Sequence, residues 1–456
     1  MVLEADDHLG GRAASWQDAR TGDVVDIGPH VITTEHRNFL ALLDCLGTAD
    51  RICWQREPLI TLLDAGRQLR MHASTLPAPL HALPNLPNAL RCVSPADLLS
   101  NLRVAWCAAR LDEPGVLALD DTDALSFLRQ RGVSERFIQW FWASAMLALL
   151  NVPLARCSAA SMMRVFRLLM GRSGYGFGFP SCGLADLFAP GCRRLIEAAG
   201  GAVLTSAAVR HVVLDGQGRL AGFGVQGGQV VRARAGVLAL PPAALAALRI
   251  DAGGAQPMAA LRRRAACFAP VPYVSTMLWF DRKLTRERFW SRVLAEGDLN
   301  TDFYDLSNIR GNGRPMPSLI ASNAIDAAAA WHRSDSEIVA RTCRELAEFV
   351  GPLTGANLLH ASVHRIALAV PAPAPGTERC RPAHDTGVPG LWLAGDWTAT
   401  AMPCSMESAA RSGALVAEAI AAARGQRLNV AEPLPETQGL VALFRRRARL
   451  DPNAMA

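Results

Sequence analysis

The residues of this 456-residue chain that could do chemistry fall in three separated stretches. The first is VLEADDHLGGR: Val2 and Leu3 end an apolar strand, Glu4 follows, and a polar stretch leads to Gly10, Gly11 and Arg12. A carboxylate at the end of the second strand of a dinucleotide-binding βαβ unit holds a ribose hydroxyl. Paired glycines let backbone approach a pyrophosphate with no Cβ in the way, and Arg12 can supply charge to it. The second stretch, GAVLTSAAVRHVVLD, carries Val209 on a strand whose main chain could hydrogen-bond an adenine while its side chains pack round the ring. The third is GLWLAGDWTATAMPCSMESAARSG, where an apolar strand ends at Gly395-Asp396 and a helix begins near Met406. Helix N-terminal amides carry partial positive charge, suited to a ring edge that becomes anionic on reduction. Asp396 can accept from polyol hydroxyls or hold amides around a pyrophosphate. Singly, the first two stretches fit a surface glycine turn and a core strand as well as a site; one nucleotide cofactor makes sense of all three.

The spacing raises a further expectation. In a βαβ unit the Gly-rich phosphate turn lies about 20 residues before such a carboxylate, and Glu4 is the fourth residue of the chain. An apolar strand and a G-x-G-x-x-G turn are therefore expected within about 30 residues upstream of Met1, with weakened or lost cofactor affinity in the chain as written.

The elements that must position these stretches are those of a large-cored α/β protein. The chain is 50% hydrophobic and 19% charged, which excludes a disordered chain. Its net charge of +6 comes almost wholly from dispersed arginines, Lys283 being the only lysine, so a nucleic-acid partner is not expected. Eleven cysteines form no C-x-x-C pair and no zinc spacing; reduced thiols, no metal site and a cytoplasmic location are the expectation. The N-terminus has no basic segment before an apolar run, the mark of a signal peptide. FIQWFWASAMLALLNVPLA, punctuated by Gln139, Ser144 and Asn151, falls short of the roughly 18 to 20 apolar residues that span a bilayer. A helical pattern is read over Asn38–Trp54, and several helices between about Pro95 and Met170. Residues 181–242 read as a helix and then strands between glycine turns, residues 270–280 as a buried strand of a second sheet, and residues 335–350 as a helix with Ile338, Val339, Leu346 and Val350 inward. The boundaries expected are a discontinuous cofactor domain (1–75, 181–255 and 375–425), a substrate domain (76–180 and 256–374) and a peripheral tail (426–456).

In this order, VLEADDHLGGR, the meander ending ALPP and AGDWT…SMESAARSG resemble the flavin-dependent amine oxidase and phytoene desaturase superfamily over roughly residues 1–425. The resemblance implies FAD as cofactor and a Rossmann-like FAD-binding domain, lacking its first strand and Gly-rich turn, beside an α+β substrate domain. It places Glu4 on the adenosine ribose, Gly10, Gly11 and Arg12 on the pyrophosphate, Val209 at the adenine, and Gly395, Asp396 and Met406 at the ribitol and flavin ring. It also sets DIGPHV, with Gly28, Pro29 and His30, beside the isoalloxazine. Ser408 and Cys182 stand where the family usually has glycine, and each is expected to crowd a normally bare backbone.

Amine oxidases of the superfamily usually carry a lysine near the flavin N5 and an aromatic wall before the Met-Glu pair; here those positions fall near Ser275 and on Ser405, which weakens that branch. LPAPLHALP followed by ALLNVPLARCSAASM resembles the squalene-associated enzymes, the hydroxysqualene dehydroxylases. That resemblance implies a C30 isoprenoid alcohol reduced by hydride from reduced FAD, with squalene synthase-like partners. The apolar segment WFWASAMLALLNVPLARCSAASMMRVFRLLM offers a hydrocarbon pocket, although most of its residues fit a helical core equally well. His30 is a candidate general acid, with a backbone-bonded structural histidine as the plainer reading; the catalytic residue stays unassigned. A carotenoid-type desaturase, an amine oxidase and a non-enzymatic flavoprotein-like scaffold are the alternatives. The basic, apolar tail LVALFRRRARL raises peripheral membrane contact.

Overall fold

In the computed structural model, which describes residues 1–250, 255–311, 316–325 and 327–444, short Val/Leu runs form the parallel strands expected of a nucleotide-binding half. Val2–Leu3 pairs in parallel with Val203–Leu204, and Gly236–Leu238 with Leu391–Leu393. No described strand joins the two pairs. Glycine turns fold Val209–Leu214, Leu220–Val225 and Val230–Arg232 into an antiparallel meander, with Arg249–Ile250 added on its edge. The helix Arg37–Leu46 packs on Met406–Ala422. The helical pattern expected over Asn38–Trp54 is shorter than that. It stops at Leu46 because Gly47 takes a left-handed φ of 69° and caps the last turn, and Ile52–Trp54 turns into a strand paired with Phe177–Pro180.

A seven-stranded sheet forms the second half. Its order is Leu358–Pro371, Pro270–Phe280, Leu319–Ala324, Asp302–Asp305, Phe289–Arg292, Ile60–Asp64 and Arg67–Met71. Residues 60–71, grouped by sequence with the segment 1–75, thus lie at one edge of this sheet. Strand alternation sends Phe303 to one face, where it stacks with Trp290 beneath Leu346 and Phe349 of the helix Asp335–Val350. On the opposite face the register places Ser275, Asn323, Asp302 and Ser291 side by side in a polar row across four strands.

A helical layer covers that row. Its core closes around Trp142, Met146, Met162 and Met163, all fully buried. A π-helical turn over Ile138–Ala143 joins the turn Glu135–Phe137 to the helix Ser144–Leu150, and such widened turns recur at functional sites. The layer is tied to the cofactor half by charge. Arg164 bonds Glu378, Ser161 donates to Glu378 at 2.7 Å, and Arg381 lies 2.9 Å from the same carboxylate. Those two arginines hold the buried Glu378 carboxyl down at about 2, against the desolvation that would raise it. From the tail, the short helix Val441–Phe444 packs on Leu102–Arg110, with Phe444 5.5 Å from Trp106; residues 445–456 lie outside the described part. Among the described residues no helix is long and apolar enough to cross a membrane.

Candidate active site

The strand Leu391–Leu393 delivers Gly395 and Asp396 to the mouth of the Met406 helix, and this junction is the most tightly tied part of the site. Gly395 has φ +144°, and a Cβ there would sit 2.9 Å from the Trp397 ring nitrogen. Its N–H donates to Ser412 at 2.8 Å. Arg12 Nη2 donates to Asp396 Oδ1 at 2.6 Å, and Nη1 to the Ala369 carbonyl. Arg12 and Asp396, 384 residues apart, therefore form one ion pair. Behind it, the buried Arg381 donates to the carbonyls of Asp396 and Thr398. The expectation that Ser408 crowds the backbone is overturned. Its hydroxyl donates to the Asp396 carbonyl at 2.7 Å and lies 2.6 Å from Thr400 Oγ1, so it ties the loop to the helix. Cys182 sits half-buried against the cluster of Leu184 and Leu187 rather than forcing backbone apart.

The other predicted residues fall in two groups. Gly10 and Gly11 have φ of +114° and +54°, and Gly10 would meet Ala13 and Ala185 if it bore a side chain. Gly10 and Arg12 line one cavity with Gly28, Pro29, His30, Asp396 and Met406. Glu4 and Val209 belong to the other group. The Glu4 carbonyl accepts from Ala207 just before the Val209 strand, and its carboxylate accepts from Asp6 N–H; neither Glu4 nor Val209 lines that cavity. Gly11 stands beside Gly10 without lining the cavity. His30 donates from Nδ1 to the Gly28 carbonyl at 2.7 Å, and burial lowers its proton affinity, so the ring is neutral and its role as an acid is not supported. Met406 opens a 17-residue helix whose cap, Ser405, accepts from Ser408 N–H. Next to it Glu407 accepts from Asn38 and the Phe39 amide, clamping the two helices.

The cavity encloses about 1610 Å³ and runs from these residues through the helical layer, past Trp140, Phe141 and Phe166, to Leu102, Trp106 and Phe444. Drug-sized pockets hold about 300–1,000 Å³, so this one has room for a cofactor ring and a long second ligand together. Part of the apolar segment faces it; Trp142, Met146, Met162 and Met163 are core instead. Its floor is the polar row. Asn323 donates to the Pro29 carbonyl at 3.4 Å, while its buried Oδ1 has no donor and lies 3.1 Å from where a Gly28 Cβ would be. Elsewhere on the cavity wall, the Arg12–Asp396 pair, the bare backbone of Gly10 and the first turn of the 17-residue Met406 helix come together, a cradle of charge and amides that suits the phosphates and ring edge of a flavin. The residues present fit a flavin. Beside Asn323, Asp302 accepts from Tyr304 at 2.7 Å and from Thr301 at 3.3 Å.

The family described as flavin containing amine oxidoreductase matches residues 1–421. The chain belongs to this family. It is an FAD-dependent oxidoreductase of the amine oxidase and desaturase superfamily. It is 27% identical over 432 residues to the 15-cis-phytoene desaturase of Solanum lycopersicum, covering 92% of this chain and 73% of that protein. To the 15-cis-phytoene desaturase of Synechococcus elongatus it is 27% identical over 463 residues, covering 96% and 94%. Among solved structures, cyclohexylamine oxidase from Brevibacterium oxydans superposes with a TM-score of 0.66 at 19% identity, over 93% of this chain and 94% of that one. Putrescine oxidase superposes at 0.64 with 16% identity, covering 92% and 93%; these likenesses are of fold.

The sequence reading did not include the sheet floor. Asp302, Tyr304, Tyr273 and Asn323 all line the cavity. The signal available was TDFYD: an acid and a phenol two residues apart on a strand share a face. Burial raises the Asp302 carboxyl to about 6, against the hydrogen bonds from Tyr304 and Thr301 that lower it. The folded protein then binds more protons than the unfolded chain between about pH 4 and about pH 6, so stability falls as pH rises through that window. A shift of about two units corresponds to about 3 kcal/mol. Asp302→Asn is expected to remove this decline: urea unfolding at about pH 4 and about pH 8 should show the wild type losing stability that the variant keeps.

Proposed function

We propose that this enzyme works on a long isoprenoid lipid and reductively dehydroxylates hydroxysqualene to squalene. The observation that carries the reading is a cavity of about 1610 Å³ lined mostly by apolar side chains, with Trp140, Phe141 and Phe166 on its helical wall and a polar floor where Asn323, Asp302 and Tyr304 meet the Gly28–His30 segment. A hydrocarbon with one hydroxyl matches that distribution: the chain lies along Trp140, Phe141 and Phe166 and the oxygen seeks the polar floor. Bound FAD supplies hydride-transfer chemistry. The protein aligns the alcohol, keeps water from an allylic cation and orients the oxygen to leave.

A second reading, desaturation of a polyene precursor, is favoured by the phytoene desaturases among the relatives. The two run in opposite directions. Purified full-length protein with FAD, hydroxysqualene and a reductant under anaerobic conditions should form squalene. No squalene, with phytoene instead desaturated in the presence of a quinone, replaces the first reading by the second.

The cavity's outer end also supports contact with a bilayer, from which such a substrate must come. Leu99 (61% exposed), Trp106 (51%) and Leu443 (76%) stand out on the helices that line this end, and the sequence continues from Phe444 into Arg445-Arg446-Arg447. Apolar side chains beside basic ones suit an interface with anionic lipid. Replacing Leu99, Trp106 and Leu443 with serine is expected to reduce flotation with phosphatidylcholine–phosphatidylglycerol vesicles at least about tenfold, with FAD content unchanged. Undiminished flotation removes this face from the interface.

A further inference from the structure

We propose that Asp302, held by Tyr304 on the sheet floor, donates the proton that lets the substrate's hydroxyl leave as water; the assignment rests on the dehydroxylation reading above. Asp302 lies in the polar row Ser275–Asn323–Asp302–Ser291, directly beside the asparagine that contacts the Gly28–Pro29 segment. It is 8% exposed and faces the shared cavity rather than bulk water.

Several other titratable groups that line the cavity are less suited to give a proton. His30 uses its Nδ1 proton on the Gly28 carbonyl. His36 accepts the Thr33 N–H at Nδ1, and burial lowers it to about 4, so near neutral pH it has only a weakly acidic Nε2–H and no imidazolium proton to give. Glu407, also raised by burial, stands on the Met406 helix rather than on the sheet floor, clamped by Asn38 and the Phe39 amide. Arg12 is paired with Asp396. Tyr304 is pushed well above its ordinary value by burial and by Asp302 itself, which makes it a poor acid. Facing Asp302 are Tyr304 and Thr301 from its own strand, Asn323 and Ser291 from the strands on either side and, past Tyr304, Tyr273. No cation is among them, so burial raises the share of carboxylic acid, which predominates below about pH 6.

The step balances. The carbon–oxygen bond breaks with its electron pair going to oxygen, and the oxygen takes the Asp302 proton and departs as water. Bound reduced FAD would supply the hydride for the new carbon–hydrogen bond and would be oxidised by giving it up, so the electrons balance. The carboxylate left behind accepts the waiting hydroxyls of Tyr304 and Thr301 and regains a proton from solvent.

The test follows hydroxysqualene reduction by the FAD-loaded protein from about pH 5 to about pH 9, together with the infrared carboxyl band of Asp302 measured without substrate. Wild-type turnover should fall as pH rises through about 6, at the midpoint where the carboxylic acid band disappears. Asp302→Asn should lose that limb and the band, with turnover down about 10²–10⁴-fold. Tyr304→Phe removes a hydrogen bond that lowers the Asp302 carboxyl, so band and rate limb should move together to higher pH while FAD binding holds. A wild type that forms squalene beside an Asp302→Asn variant with equal rate and the same limb, or a Tyr304→Phe limb that stays put, overturns the assignment alone. No squalene from the wild type at any pH overturns the dehydroxylation reading and the assignment with it.

Discussion

Arg12→Ala is expected to leave the protein colourless after FAD is added and excess cofactor removed. The Asp396 side chain is only 6% exposed, and Arg12 is its ion-pair partner at 2.6 Å. Removing one member of such a pair strands the other charge in a poorly solvated place, at a cost of about 3–5 kcal/mol. The loss falls on the junction that sets Gly395, the Thr400–Ser408 tie and the first turn of the Met406 helix. Even about 3 kcal/mol is more than a hundredfold in affinity if it is all expressed in cofactor binding. Flavin absorbance and a quenching titration read that directly, and thermal unfolding in the absence of FAD separates cofactor loss from collapse of the fold. Arg12→Lys, which keeps a charge but not the fork that reaches both Asp396 and Ala369, should bind between the two. Full FAD retention by Arg12→Ala would show that the ion pair does not organise this site.

That experiment concerns residues the sequence made legible, because each sits in a local pattern. A strand that ends in Gly-Asp before a helix, or a glycine pair after a strand, announces itself within about a dozen residues, since turn geometry is local. What was not legible is how distant patterns meet. Arg12 and Asp396 were assigned to different parts of one cofactor, and only the fold makes them a pair. Ser408 was expected to crowd a bare backbone. Whether a hydroxyl crowds or binds depends on which acceptor stands opposite, and here it is the Asp396 carbonyl. The over-long helix after Asn38 has a local cause, Gly47, which the apolar periodicity masked. Asp302 and Tyr304 escaped because nothing near TDFYD marks it as a site. Its meaning comes from register with Asn323 and Ser291, set by strands drawn from both sides of it in the chain. The apolar segment shows the same division: composition foretold a hydrocarbon wall, but helix rotation decided that Trp140 faces the cavity and Trp142 the core.

Which face a helix presents is also what the second large effect tests. Ala105 lies on the helix Leu102–Arg110 and lines the cavity next to Trp106, one of the half-exposed residues at its outer rim with Phe444. Ala105→Trp would fill the cavity at that point without touching the Arg12–Asp396 junction or the Asn323 floor. A chain long enough to reach the rim must then give up burial of about one isoprene unit. At about 0.8 kcal/mol for each CH₂ that is about 4 kcal/mol, roughly a thousandfold in kcat/KM. The side chain would project into open cavity, so FAD content and the unfolding midpoint should match the wild type. A shorter allylic isoprenoid alcohol, which ends before that point, should keep its rate in both proteins. That contrast between chain lengths separates a blocked cavity from a damaged enzyme. Equal loss for both alcohols would mean that substrate enters only past Ala105 and that its length goes unread. No loss for either would place the hydrocarbon outside this cavity altogether.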